Sequence, residues 1–225
     1  KLKWQTDRAW GSARVAAQRA KLSRQKLPAP TRGRMLPQQV LAAIRRGTPR
    51  DVIFATDVGS HKILAALAWQ TRVPNSFLVS NGLSCMGFGL PAAIAASMLQ
   101  PEKPVVSLIG DAGLLMVMGE LSLLARLGTR VIVVVMNDGA LDLIRAQQWK
   151  AGMPVYGTEF TDPDFVRAAE AFGIHGVQVC AEAECFQQVN AALARKGATL
   201  IEAMIDPASY PTTPPSRDPD FSRAG

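Results

Sequence analysis

Two β-branched runs constrain the fold of this chain more than any other feature: Pro104-Val105-Val106-Ser107-Leu108-Ile109 and Arg130-Val131-Ile132-Val133-Val134-Val135-Met136. Both are too short and too continuously apolar for an amphipathic surface helix. They read as strands buried on both faces, the pattern of a parallel sheet. Each run ends in small, oxygen-bearing residues, Gly110-Asp111-Ala112-Gly113 after the first and Asn137-Asp138-Gly139 after the second. A carboxylate at a strand's carboxyl end, followed by small residues that open a helix, lies beside free backbone N–H groups in the crevice where open α/β sheets bind ligands.

The rest of the chain alternates in the same way, so the expected fold class is α/β, a doubly wound, mostly parallel six-stranded sheet with helices on both faces. The expected strands are Val52 to Thr56, Phe77 to Val79, Val105 to Ile109, Val131 to Met136, Val177 to Val179 and Thr199 to Ile205. Helices are expected at Lys62 to Gln70, Met86 to Leu99, Leu114 to Leu127, Leu141 to Gln148, Asp164 to Phe172 and Glu184 to Lys196, preceded by one at Gln38 to Arg46 that Pro37 opens and Gly47 and Pro49 stop. Residues 1–30 read as a basic helical arm, helical from Trp4 to about Gln25, that ends a preceding domain; Leu27 to Gly33 is a Pro- and Gly-containing linker. Residues 31–207 form the sheet domain. Residues 208–225 are an extended tail whose Pro-, Ser- and Asp-rich composition cannot build a core.

Asp111 precedes Asn137 by 26 positions, room for one helix and a turn at Gly128 before the next strand, a crossover of ordinary size. The pair therefore places oxygen ligands on neighbouring strand ends. Magnesium takes about six oxygens near octahedral geometry, commonly one or two carboxylates together with phosphate oxygens and water. Asp111, the side chain of Asp138 and the carbonyl of Ala140 supply three. Taken alone, Asp111 could equally be a helix N-cap.

On these residues the chain resembles the thiamine diphosphate (ThDP) enzymes of the acetolactate synthase and decarboxylase group, whose signature runs Gly-Asp-Gly or Gly-Asp-Ala, then about two dozen residues, then Asn-Asn. Thr56-Asp57-Val58-Gly59-Ser60-His61-Lys62 is similar to the segment that meets the diphosphate, and Ser80 to Ala96 is similar to the family's Gly-rich stretch. The likeness runs from about Met35 to Pro207. It implies a C-terminal diphosphate-binding domain in which Gly59, Ser60, His61, Lys62, Ser84, Met86, Gly110, Asp111, Ala112, Gly113, Asp138, Ala140, Leu141, Asp142 and Leu143 meet the cofactor. Asp111, Asp138 and Ala140 would hold Mg2+, and Met86 would be the large apolar residue under the bent cofactor. Asp138 stands where most members have a second Asn, adding negative charge that Lys62 could offset. Gln147 stands where biosynthetic members carry the Trp that shapes the acceptor pocket.

The resemblance implies a decarboxylase or carboligase acting on a 2-oxo acid such as pyruvate. This chain would supply the diphosphate and metal half of the site and no catalytic residue. The activating Glu is expected on a pyrimidine-binding domain, on the same polypeptide or a separate chain, within a homodimer or homotetramer. Whether FAD sits in a further domain is left open. The rival from another class is a non-catalytic ThDP-binding module.

Composition removes other classes. The net charge of +7 belongs to residues 1–50, where 13 Lys and Arg face the single acid Asp7, so the remainder is acidic; with few aromatics in the arm, nucleic acid is not an expected partner. No run of 18 apolar residues and no signal peptide suggests a membrane. Cys85, Cys180 and Cys185 fit neither a zinc motif nor a disulfide framework, and a cytoplasmic location is expected. The opening Lys1-Leu2-Lys3-Trp4 reads as part of something longer. His61 is read as a phosphate contact, with a satisfied core histidine as the alternative; His175 is structural or exposed, and Glu120 structural at a subunit contact. Trp149 and Tyr156 are read as core or interface packing rather than the border of a substrate channel.

Overall fold

A computed structural model describes residues 27–161 and 163–210, together with residues 13, 16, 17 and 20. Those four alanines of the arm are helical and exposed; the rest of the expected arm helix and the tail from residue 211 lie outside the described residues.

The described elements alternate as the sequence suggests: α1 (Pro37–Gly47), β1 (Ile53–Thr56), α2 (Ser60–Ala68), β2 (Phe77–Val79), α3 (Gly89–Leu99), β3 (Val105–Gly110), α4 (Asp111–Val117), α5 (Leu121–Leu127), β4 (Val131–Asn137), α6 (Asp142–Lys150), α7 (Phe165–Ala171), β5 (His175–Val179), α8 (Glu182–Ala194) and β6 (Thr199–Met204). The six strands form one sheet in the order β2-β1-β3-β4-β6-β5, and every pairing is parallel. The order reverses between β1 and β3, which opens a crevice beyond their carboxyl ends.

Alternate residues of each strand face opposite sides, so the β-branched runs build two cores. Val106, Leu108, Ile132, Val134 and Ile201 pack with Val40, Ile44, Leu64 and Val189 from α1, α2 and α8. Val105, Ile109, Val131, Val133 and Val135 pack on the other side with Leu90, Ile94, Leu114, Leu124 and Phe165 from α3, α4, α5 and α7. All seven residues of β4 are buried, each large apolar side chain contributing on the order of 2 kcal/mol. This two-sided burial is what a doubly wound sheet requires.

Several boundaries differ from the sequence expectation, among them α2 and α8, which each begin and end two residues early. The helix expected from Met86 begins at Gly89, because Gly87 takes a φ of +84° and cannot continue a helix. The single helix expected over Leu114 to Leu127 starts at Asp111 and is broken by a 3-10 turn at Met118–Glu120 that contains Gly119, a poor helix former. β5 starts at His175, two residues early, and His175 is an exposed strand residue. At the far end, Pro207–Ser209 forms a 3-10 turn and Tyr210 is buried against the first core, so the packed fold extends past residue 207.

The incoming and outgoing segments are tied together. Met35 forms a parallel bridge with Ile205: its N–H donates to the Met204 carbonyl at 2.9 Å, and its carbonyl accepts from the Asp206 N–H at 2.8 Å. The Arg34 guanidinium donates to the Ile205 carbonyl at 2.8 Å, and Thr31 donates to the Asp206 carboxylate through both its N–H and its hydroxyl.

Candidate functional site

Strand register brings the motifs together. Gly110 pairs with Met136 and Thr56 with Leu108, so β1, β3 and β4 end side by side and hand over to Asp57, Asp111 and Asp138 at one edge of the sheet.

Asp57 is fully buried. Its N–H donates to the Leu108 carbonyl at 2.8 Å, and its carboxylate accepts from the Gly87 N–H at 3.0 Å and the Gly89 N–H at 3.1 Å. One side chain thus pins the turn that carries Met86 and lines up the first turn of α3. Gly113 is glycine for the same reason: a Cβ there would stand 2.2 Å from Asp57 Oδ2. The His61 ring lies between Gly59 and Gly110, where added Cβ atoms would come within 2.8 Å and 3.1 Å of its Cε1. His61 is buried, and Nε2 has no hydrogen-bond partner. Burial pushes its imidazole down to about 4, against the opposing charge and backbone hydrogen bond of Asp57, so the ring is neutral at physiological pH.

Asp111 holds the second motif in place. Its Oδ2 accepts from the N–H groups of Asp138 at 3.1 Å and Gly139 at 2.8 Å, and its Oδ1 accepts from the Ala112 N–H at 2.6 Å. The Asp138 Oδ1 accepts from the Ala140 N–H at 3.3 Å, while Oδ2 is buried without a partner. Burial, then the charges of Asp111 and Asp142, push the Asp138 carboxyl well above the usual carboxylate range, and Arg145 opposes them. Asp142, in the first turn of α6, accepts from the Ser60 hydroxyl at 2.8 Å and from Arg145 at 2.6 Å. The Leu141 N–H donates to the Thr158 carbonyl at 2.7 Å, which sets the start of α6; Leu143 follows in its first turn.

Asn137 is buried and acts inward rather than toward the crevice. Its Oδ1 accepts from the Gly139 N–H at 3.1 Å, and its Nδ2 donates to Glu202 at 2.8 Å. The buried Glu202 carboxylate also accepts from Gln178 at 3.1 Å, and so props the turn from β6.

Lys62 is placed differently from the sequence expectation. Its ammonium donates to the Ser80 carbonyl at 2.6 Å and the Ser84 hydroxyl at 2.9 Å, tying down the Gly-rich loop. The counter-charge to the acids is Arg145 on α6. Lys62 and Ser84 therefore meet each other and not the Asp111 cluster. Ser84 has a φ of +53°, a left-handed conformation unusual for a residue with a side chain.

Other expectations resolve simply. Glu120, Trp149 and Tyr156 are exposed, so the last two do not pack in the core; Gln148 clasps the Tyr156 backbone through both its N–H and its carbonyl. Among the described residues no three His, Cys, Asp or Glu side chains form a metal cage by themselves, and no helix is long and apolar enough to cross a membrane. Sequence reasoning passed over the clamp by Asp57, the counter-ion Arg145 and the prop Glu202. Their signals were an acid closing a strand, a base three residues after Asp142, and a lone acid inside the apolar run Leu200-Ile201-Glu202-Ala203.

Known proteins resemble this chain over the same residues. Residues 57–203 match the family "Thiamine pyrophosphate enzyme, C-terminal TPP binding domain". The acetolactate synthase catalytic subunit of Saccharomyces cerevisiae mitochondria is 35% identical over 169 residues, 74% of this chain and 24% of that protein. The acetolactate synthase large subunit of Parasynechococcus marenigrum is 35% identical over 195 residues, 84% of this chain and 31% of that protein. Among solved structures, the thiamine diphosphate-dependent 4-hydroxybenzoylformate decarboxylase of Rhodococcus jostii superposes with a TM-score of 0.75 at 25% identity, covering 81% of this chain and 34% of that one. The chain thus spans about a quarter to a third of these relatives. With the motif residues at one sheet edge and the family match running over the whole site, the chain belongs to the thiamine pyrophosphate enzymes, as their C-terminal TPP-binding domain.

Proposed function

We propose that this chain anchors the diphosphate and magnesium of ThDP for a decarboxylase or carboligase of the acetolactate synthase type, a lyase or transferase acting on a 2-oxo acid such as pyruvate. One observation carries the reading: a buried Asp138 oxygen without a partner, in the field of Asp111 and Asp142. A buried carboxylate in that position calls for a cation. Asp111, Asp138 and the Ala140 carbonyl supply three oxygens, and diphosphate oxygens with water complete a magnesium shell.

The residues present fit the cofactor. The glycines at 59 and 110 leave room for the His61 ring and Gly113 leaves room for the Asp57 carboxylate, and the N-terminal turn of α4, with Ala112, opens at the same strand ends with the positive end of its dipole. His61, held neutral with its Nδ1–H on the Asp57 backbone, keeps Nε2 as an acceptor, which meets the diphosphate through a protonated phosphate oxygen or a bridging water. Ser60 and Arg145 fix Asp142 beside the metal ligands, with Leu141 and Leu143 flanking it. Asp57 and Lys62 set the loop that presents Ser84 and Met86, the latter as an apolar support for the cofactor rings. When bound, ThDP supplies the carbon nucleophile and the electron sink for loss of carbon dioxide.

Proton transfer at the reacting carbon belongs to a pyrimidine-binding domain, on the same polypeptide or another chain, because an acid–base group must lie within about 3 Å of the proton it moves. A homodimer or homotetramer supplies that pairing. The test is calorimetry of ThDP with and without magnesium, followed by carbon dioxide release from pyruvate with the pyrimidine-binding domain present. Magnesium-dependent binding that is lost in Asp111→Ala, with turnover only in the assembled protein, is expected. Unchanged binding in Asp111→Ala refutes the metal assignment, and binding without turnover on any 2-oxo acid favours the non-catalytic module.

A further inference from the structure

α1 runs into β1 and α2 runs back from it, so the C-terminal ends of both helices lie at the amino edge of the sheet, opposite Asp111. Between them is a cavity of about 560 Å³ lined by Arg45, Arg46, Arg72, Trp69, Gln38 and Thr48 among others, with no acidic side chain in its wall. The volume lies within the range of small-molecule sites.

Its floor is rigid. Trp69 stacks on Phe54 with ring centroids 3.8 Å apart, and the Arg45 guanidinium lies 4.9 Å from the centroid of the Trp69 ring. Arg45 donates to the Thr48 carbonyl at 3.1 Å and to the Pro49 carbonyl, so one arm of its guanidinium closes the end of α1. Its Nε is buried without an acceptor. Arg46 is paired with Glu182 at 3.0 Å, whereas Arg45 and Arg72 form no salt bridge among the described residues. They act on each other: burial and the nearby Arg72 charge lower the Arg45 pKa. Arg72 makes one long contact, to the Gln70 side-chain oxygen at 3.4 Å, and lines the same open volume as Arg45.

We propose that this cavity binds the phosphate group of a small organic phosphate, with Arg45 and Arg72 as its anion clamp. A doubly charged phosphate matches the two guanidiniums, neither of which meets a carboxylate among the described residues, and both are suited to oxyanion recognition. Gln38 and Thr48 line the wall but are committed to Ser209 and to the Ile44 carbonyl, so the arginines carry the phosphate, and the Leu41 and Ala68 walls border the organic remainder. The site is independent of the ThDP reading, because it lies at the other edge of the sheet and shares no residue with it.

The experiment is calorimetry and thermal unfolding of the full chain with inorganic phosphate and with glucose 6-phosphate, against sodium chloride at matched ionic strength. Saturable binding is expected, tighter for glucose 6-phosphate than for phosphate. Arg72→Gln should weaken it about tenfold or more, the loss of one charge-assisted contact. Arg72 is exposed, so the variant's unliganded midpoint should match the parent's. Asp111→Ala should bind these probes as the parent does. No saturable binding beyond chloride overturns the proposal. Equal binding by Arg72→Gln overturns it too, and loss in Asp111→Ala instead assigns the anion to the ThDP crevice.

Discussion

The buried His61 should make the stability of this domain depend on pH in a way that one substitution removes. In the unfolded chain an imidazole titrates near 6.5. In the fold it titrates near 4, because burial between Gly59 and Gly110 outweighs the attraction of Asp57. Between those values the unfolded state binds a proton that the folded state does not, so stability falls as pH falls. The contribution is complete above about 6.5, declines by about 1.4 kcal/mol per pH unit below it, and reaches about 3 kcal/mol near pH 4. Asp138 works in the opposite direction: its raised folded pKa favours the fold as acid protonates it. The diagnostic is therefore a difference between two proteins. In urea unfolding the parent should lose about 2–3 kcal/mol more than His61→Gln between pH 8 and pH 4.5, whichever of the two is more stable at pH 8. Exposed His175 is common to both proteins and drops out of the difference. Parallel curves over this range would show that His61 takes up its proton in the fold as it does in the unfolded chain, and would refute the neutral-histidine account.

Two further substitutions probe the site. Asp138→Asn removes one of three neighbouring carboxylates while keeping an oxygen ligand, so magnesium-dependent ThDP binding by calorimetry should be equal or tighter; complete loss would assign Asp138 another role. Gly113→Ala drives a methyl group into the Asp57 carboxylate and should cost about 3 kcal/mol in urea unfolding, whereas Gly119→Ala, with nothing within 4 Å of the added carbon, should be neutral or stabilising by up to about 1 kcal/mol. A Gly113→Ala protein as stable as the parent would mean the Asp57 clamp yields.

The sheet was legible because its signal is local. Val105 to Ile109 and Val131 to Met136 need no partner to be read as buried strands, and the residues closing them define the crevice. What was not legible depends on pairings that only the fold creates. The Met86 helix starts three residues late because Asp57, some 30 positions upstream, takes the Gly87 and Gly89 N–H groups. Lys62 precedes Asp138 in a sequence that gives no hint of the Ser80 carbonyl competing for its ammonium, while Arg145 reaches Asp142 from one helical turn away. Asn137 marks the motif at the end of β4, and only the fold shows that its side chain is committed to Gly139 and Glu202 beneath the turn.

The Met35–Ile205 bridge has a mechanical consequence. The two segments run parallel, and a tether pulling the incoming chain one way and the outgoing chain the other would load the Met35–Met204 and Met35–Asp206 hydrogen bonds along the strand axis, in concert, instead of peeling them one at a time. Thr31 with Asp206 and Arg34 with Ile205 share that load. Motion of flanking polypeptide would therefore meet a shear-resistant clasp before it could reach β4 and the turn of Asp138.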